Sequence, residues 1–218
     1  MSIIIIDYGI GNLYSVANAL KKVTKENVYI TNDAKQIKKS NRIILPGQGA
    51  IKDCIKELKK KNIYWLIKEI IYKKNKPVLG ICIGQHLLME SSEENNSVFG
   101  INYIKGVVKK YTNNNNKFKI PHTGWNIVYK HKEHPIWNGI KSGSRFYFVH
   151  SFYAKTTTQT TTTDKTKTKK NVLGMTEYGG HYANVITYSK SVITVQFHPE
   201  KSACLGLKLL KNFINWLP

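Results

Sequence analysis

Cysteine is scarce in this chain of 218 residues, and its three copies, Cys54, Cys82 and Cys204, lie far apart with no Cys-x-x-Cys pair. That spacing argues against a disulfide framework and against a Cys-rich zinc site. Long apolar runs are missing as well. Met1-Ser2-Ile3-Ile4-Ile5-Ile6-Asp7 is too short and too early for a signal h-region or a membrane span, and no later run is long enough. A soluble, cytoplasmic protein with no membrane contact is expected. Acidic residues are few, 13 against 34 Lys and Arg, which leaves a formal net charge of +21. Such a charge ordinarily points to nucleic acid, because basic surfaces release counterions from phosphate backbones. Here arginine is nearly absent, at Arg42 and Arg145 only, and the lysines are scattered through loops and helix faces among many Asn and Ile. No basic stripe with interleaved aromatics stands out, so a solvated lysine surface is expected and no nucleic-acid partner. An anionic phosphate substrate on a partner protein is a third reading of the same charge.

What is present, 41% hydrophobic residues over this length, suits one globular domain spanning residues 1–218. In the first half, short apolar strands alternate with helical patterns. Ile3 to Ile6 reads as a strand; Leu13, Val16, Ala17 and Leu20 recur at helical spacing; Asn27 to Ile30 and Arg42 to Leu45 read as strands. Ile51 to Lys60 and Ile63 to Tyr72 read as helices, Val78 to Ile81 as a strand, and Ile83 to Met89 as the helix after it. From Gly106 strand follows strand: Val107 to Tyr111, Trp125 to Tyr129, Arg145 to Val149, Val172 to Thr176, Ala183 to Tyr188 and Val192 to Phe197. Leu205, Leu209, Phe213, Ile214 and Leu217 close the chain with an amphipathic helix. The pattern predicts an α/β fold: a central, mostly parallel mixed sheet flanked by helices, with an additional antiparallel portion in the second half. The polar stretch Thr156 to Lys170 can bury almost nothing and is expected to be a low-complexity surface insertion between two strands; Asn113 to Asn116 is a similar polar tip.

Chemistry concentrates in two places. Gly80-Ile81-Cys82-Ile83-Gly84 sets a cysteine between two glycines where a buried strand turns into a helix. A nucleophile at such an elbow holds strained dihedrals, so the residues two before and two after must be small. A thiol is mostly protonated at neutral pH and needs a base, and a helix N-terminus beneath it lowers its pKa further. Far downstream, Gln196-Phe197-His198-Pro199-Glu200 offers His198 as that base, with Glu200 to accept from its other ring nitrogen and fix the tautomer. Taken singly, each of these residues is more easily an ordinary structural one; together they point to acyl transfer. That reaction needs oxyanion donors: the backbone N–H of Ile83 and one from the loop Leu45-Pro46-Gly47-Gln48-Gly49-Ala50, at Gln48 or Gly49.

With these residues in view, the chain resembles the class I, triad-type glutamine amidotransferases, and in particular the glutaminase subunits of imidazole glycerol phosphate synthase. The likeness runs through Asp7-Tyr8-Gly9-x-Gly11-Asn12-Leu13, the Pro46 loop, the Cys82 elbow, Pro121-His122-x-Gly124-Trp125-Asn126, Tyr147-Phe148-Val149-His150-Ser151-Phe152-Tyr153 and Gln196 to Ser202. It implies that L-glutamine is converted to L-glutamate and ammonia through a thioester on Cys82, with His198 as base then acid and Glu200 as its orienter. It implies Gly49, His86, Ser151 and Phe152 as substrate-binding residues, and no cofactor or metal. It further implies a heterodimer with a (β/α)8 barrel cyclase subunit, with Asn12, Trp125, Tyr147 and Lys201 at the interface. There the ammonia helps convert a phosphoribulosyl intermediate into imidazole glycerol phosphate and an aminoimidazole carboxamide ribotide.

Two departures stand out. The family pattern ends the elbow Gly-Met-Gln, whereas this chain has Gly84-Gln85-His86, so His86 holds the position of the family's Gln. In the loop, Gln48 replaces the usual Val, which bears on how readily its amide turns into the oxyanion hole. Together with the threonine-rich insertion they admit a divergent relative feeding an amination step in surface-polysaccharide synthesis. A catalytically silent interaction subunit is opposed by the intact Cys82, His198 and Glu200. A small-peptide hydrolase shares Cys and His but has no need of the N-terminal and Trp125 segments.

Overall fold

Four consecutive isoleucines, Ile3 to Ile6, are each at most 1% exposed, and the molecule is built around them. β-branched side chains are stiff at χ1 and suit a strand covered on both faces. In the computed structural model, which describes residues 1–73, 76–113, 118–156 and 171–218, strand β1 (Ser2–Ile6) is followed by α1 (Leu13–Lys21), β2 (Asn27–Thr31), α2 (Ala34–Lys39) and β3 (Arg42–Leu45). Then come α3 (Ile51–Lys60), α4 (Ile63–Lys73), β4 (Val78–Ile81) and α5 (Ile83–Leu88). The second half contains β5 (Met89–Ser92), β6 (Val98–Phe99), β7 (Ile104–Lys110), β8 (His122–Lys130), β9 (Ser144–His150) and β10 (Phe152–Thr156). It ends with β11 (Val172–Tyr178), β12 (His181–Ser189), β13 (Val192–Val195) and α6 (Ala203–Asn215).

The main sheet runs β2-β1-β3-β4-β13-β12-β11-β8-β9. Its first five strands pair in parallel and the rest antiparallel. Alternate residues of β1 serve two cores. Ile3 and Ile5 pack with Leu20 of α1 and Leu209 and Phe213 of α6, whereas Ile4 and Ile6 pack with Leu58 of α3 and Ile67 and Ile71 of α4. Each such fully buried side chain contributes about 1.5–3 kcal/mol. The return of β13 beside β4 positions the site. The parallel register sets Val195 opposite Ile81, so the residues following each strand emerge side by side.

Three elements differ from expectation. Helix α2 has no counterpart in the sequence pattern: it has six residues and buries only Ile37, and it is held by Asp33, whose carboxylate accepts from the N–H groups of Lys35 and Gln36. Met89, expected in the helix after the elbow, opens β5 instead, because Gly100 brings the chain back against the Leu87 and Met89 carbonyls where any Cβ would collide. With β5, the chain builds a second four-stranded sheet, β10-β7-β5-β6, partly from first-half residues. Of the expected insertion at 156–170, Thr156 is the last residue of β10 and pairs with Gly106; the remainder, like residues 114–116 of the Asn-rich tip, lies outside the described residues.

Candidate active site

β4 ends at Ile81, and Cys82 turns the chain into α5 with φ 53° and ψ −108°. Positive φ at a residue with a Cβ costs on the order of 1–3 kcal/mol and persists only where the surroundings over-determine it. They do so here: the Cys82 N–H donates to the Val195 carbonyl at 2.8 Å, extending the β4–β13 pairing by one residue. Both flanking glycines are sterically required. A Cβ on Gly80 would lie 2.7 Å from the Gly84 carbonyl oxygen, and one on Gly84 would strike the Leu45 carbonyl oxygen. The thiol sits, 4% exposed, at the N-terminal end of α5.

The backbone of His198 is clamped to β9. Its N–H donates to the Tyr147 carbonyl at 2.9 Å, and the Ser202 hydroxyl donates to the His198 carbonyl while accepting from the Tyr147 N–H. A one-turn 3-10 helix, Pro199–Lys201, then folds Glu200 back onto the ring. His198 Nδ1 and Glu200 Oε1 are 2.7 Å apart, with side chains only 3% and 2% exposed. With Nδ1 given to the carboxylate, Nε2 is left for the sulfur. Burial alone would push the His198 imidazolium down; the Cys82 sulfur and the Glu200 carboxylate outweigh that and hold it up at about 10. An imidazole held by a carboxylate and turned to a sulfur is the partner that an activated cysteine requires.

Cys82 and His198 open into one cavity of about 360 Å³. Its walls include Gln48, Gly49, Ile83, His86, Ser151 and Phe152, so the residues expected to bind substrate or form the oxyanion hole come together there. The Gln48 loop is anchored from behind. The Tyr8 hydroxyl, fully buried, donates to the Pro46 carbonyl at 2.6 Å, and the Cys54 thiol donates to the Gln48 carbonyl at 3.5 Å. Burial pushes the Cys54 thiol up to about 11, so it remains a donor and no rival nucleophile. The Gln48–Gly49 peptide plane thus has its carbonyl turned toward α3, and a trans peptide points the Gly49 N–H the opposite way. Gln85 does not line the cavity; its amide donates to Thr194 in the core.

Of the expected interface residues, Asn12 caps α1, accepting from the Ser15 N–H, and borders a crevice shared with His198 and Glu200. Trp125 and Tyr147 face each other across β8 and β9 with rings edge to face at 6.0 Å, and Trp125 is 52% exposed. Lys201 is exposed at the rim of the cavity.

Glu94 has no sequence signal, and His150 is part of the Tyr147–Tyr153 likeness, which implies no role for it. Glu94 stands in a polar Ser-Ser-Glu-Glu-Asn-Asn stretch, yet it reaches the cavity wall and accepts from the Ile51 N–H at 3.1 Å; burial raises its pKa. His150 backs the cavity and meets His122 at 3.1 Å across the β8–β9 register. Since His150 Nδ1–H donates to the Phe152 carbonyl, its Nε2 accepts from His122 Nδ1–H, and His122 Nε2 accepts from the Asn126 amide. Both rings are held neutral by burial, His122 down to about 4. The paired His residues explain why the Pro121 and Tyr147 segments carry histidine where they do. Among the described residues no His, Cys, Asp and Glu cluster is suited to a metal ion, and no helix is long and apolar enough to cross a membrane.

The geometry agrees with comparison to known proteins. Residues 4–216 match the family described as glutamine amidotransferase class-I. The imidazole glycerol phosphate synthase subunit HisH of Pseudomonas syringae is 42% identical, over 99% of this chain and 97% of the relative. That of Acinetobacter baylyi is 40% identical over 98% of each. Among solved structures, a glutamine amidotransferase superposes with a TM-score of 0.70 at 15% identity, covering 97% of this chain and 96% of the other. A chain of PurLQS from Thermotoga maritima superposes with a TM-score of 0.68 at 18% identity, covering 100% of this chain and 99% of the other. At such identities the structural likeness speaks for the fold alone, which is that of the class I glutamine amidotransferases. The near-complete match to the HisH sequences is narrower, and by it the chain belongs to the HisH family within those amidotransferases.

Proposed function

We propose that this chain, as a single amidotransferase domain in the cytoplasm, hydrolyses L-glutamine and delivers the ammonia to a (β/α)8 barrel cyclase subunit for imidazole glycerol phosphate synthesis. The observation that carries the reading is the common cavity of Cys82 and the His198–Glu200 pair. The Cys82 thiolate attacks the carboxamide carbon of glutamine, and the developing oxyanion is met by the Ile83 N–H and by an N–H of the Gln48–Gly49 loop. One such donor is worth about 10²–10³ in rate. His198 gives its proton to the departing ammonia, then takes one from the water that opens the thioester, while Glu200 keeps the ring in one tautomer. Gly49, His86, Ser151 and Phe152 hold the substrate, and the Glu94 carboxylate supplies the anionic wall that its α-ammonium requires.

Ammonia set free in water becomes ammonium, a poor nucleophile, so the product must pass directly to a second active site. The relatives are named as subunits of a synthase, and the exposed Trp125 with Tyr147, Asn12 and Lys201 forms the face on which the cyclase docks. The test is glutamate formation with and without the cyclase. Slow turnover alone and strong activation in the complex is expected; equal rates would reject gating by the Gln48 loop. Cys82→Ser should abolish glutamate formation yet leave synthesis from ammonium salts intact in the complex, and loss of both would make Cys82 structural.

A further inference from the structure

Behind the sulfur lies a buried amide that the mechanism above does not use. Gln196, fully buried, follows β13 and has its backbone fixed by donation to the Val185 carbonyl. Its side chain bridges two cavity residues: Oε1 lies 2.8 Å from His86 Nε2, and Nε2 lies 3.9 Å from Cys82 Sγ. A carboxamide has a donor end and an acceptor end, and only one orientation helps a thiolate. Turned the other way, Oε1 would place lone pairs against the negative sulfur.

We infer that Gln196 is a further catalytic residue, a hydrogen-bond donor to the Cys82 thiolate, and that His86 is the positioning residue that keeps its donor end toward the sulfur. The tautomer of His86 decides this. His86 Nδ1 is buried with no hydrogen-bond partner. An orphaned buried N–H is rarer than an orphaned acceptor, so the proton resides on Nε2 and donates to Gln196 Oε1. Burial also keeps this ring neutral, with its pKa down to about 4. The relay His86 Nε2–H to Oε1, then amide N–H to sulfur, runs in one direction only. It leaves Nδ1 as the unprotonated ring nitrogen of His86, buried and without a hydrogen-bond partner.

The inference rests on Cys82 being the nucleophile of the proposed reaction, but its test needs neither glutamine nor a partner. The full chain is alkylated with iodoacetamide across pH, and modification of Cys82 is followed by peptide mass spectrometry. The midpoint reports the thiolate as coupled to His198 and Glu200, with Tyr8 the other titratable group beside the sulfur. Gln196→Met, close in volume but without a donor, should raise the midpoint and slow alkylation near neutrality by about threefold. His86→Leu should shift it the same way, the double variant should be no slower than Gln196→Met alone, and His86→Gln, which restores a donor, should keep the native profile. A folded Gln196→Met variant with the native profile overturns the inference; should that variant fail to fold, a native profile in His86→Leu does so. A shifted profile in a chain that never forms glutamate would keep this inference and remove the proposed function. Glutamate formation with an unmoved profile would do the reverse.

Discussion

The Cys82 N–H donates to the Val195 carbonyl, and this bond joins two segments 113 residues apart that carry the proposed nucleophile and, three residues on, its proposed base. Because β4 and β13 run in parallel, both chains leave the sheet at the same end, where ligands of open α/β sheets bind. The elbow is strained and the strain is contained by neighbours, which makes its small residues sensitive.

Gly84→Ala places a methyl group on the Leu45 carbonyl, a backbone atom that cannot swing aside. A loss of about 3 kcal/mol or more is expected, visible as a lower urea midpoint with unchanged m-value. Native stability would mean that β3 and α5 can separate without cost.

Glu200→Gln removes the carboxylate that helps hold His198 at about 10. The ring pKa, followed by NMR, should fall toward 6.5, and kcat should drop by about 10²–10⁴-fold with the fold retained. An unmoved ring titration would show that the Cys82 sulfur alone sustains the imidazolium.

Acid should destabilise the protein through histidines other than His198. His86 and His122 have folded pKa values near 4, and His150 lies well below its ordinary value, all chiefly through burial. Depressed values mean that the unfolded chain takes up protons first, so stability is full above pH 6.5 and is lost as pH falls toward 4. Each ring contributes a slope of about 1.4 kcal/mol per pH unit in that window. His198 has the opposite sign: its contribution is full below 6.5 and disappears as pH rises through about 10. Urea titrations from pH 7 to 4 should show a falling midpoint, and His122→Phe should flatten it. A flat native profile would mean that these rings are solvated.

Trp125→Ala should separate binding from folding. Half of this side chain is already in solvent, so stability should change by about 0.5 kcal/mol or less, whereas affinity for the cyclase should fall by about 30-fold. Unchanged affinity would place the docking face elsewhere.

Local pattern carried much of this. The alternation of Ile3–Ile6, Arg42–Leu45 and Val78–Ile81 with helical spacing marks the parallel half, since strands buried on both faces are continuously apolar. The two glycines about Cys82 are legible because a strand-to-helix elbow admits nothing larger. His-Pro-Glu is legible because a rigid proline keeps His198 and Glu200 within reach whatever the rest of the chain does. The short strands β5, β6 and β10 were not, because β5 and β10 are placed by pairing with β7, and β6 by pairing with β5, and none shows a period of its own.

By itself, then, the sequence determined the residues proposed as nucleophile, base and orienter, and the layered α/β frame, since each depends on residues close along the chain or on one repeated pattern. Tertiary structure alone decided that Glu94 reaches the cavity, that Tyr8 and Cys54 brace the Gln48 loop, that His122 and His150 share a proton arrangement, and that His86 faces Gln196 from 110 residues away. The direction of a hydrogen bond between buried groups is set by what surrounds both, and those surroundings exist only after the sheet has closed.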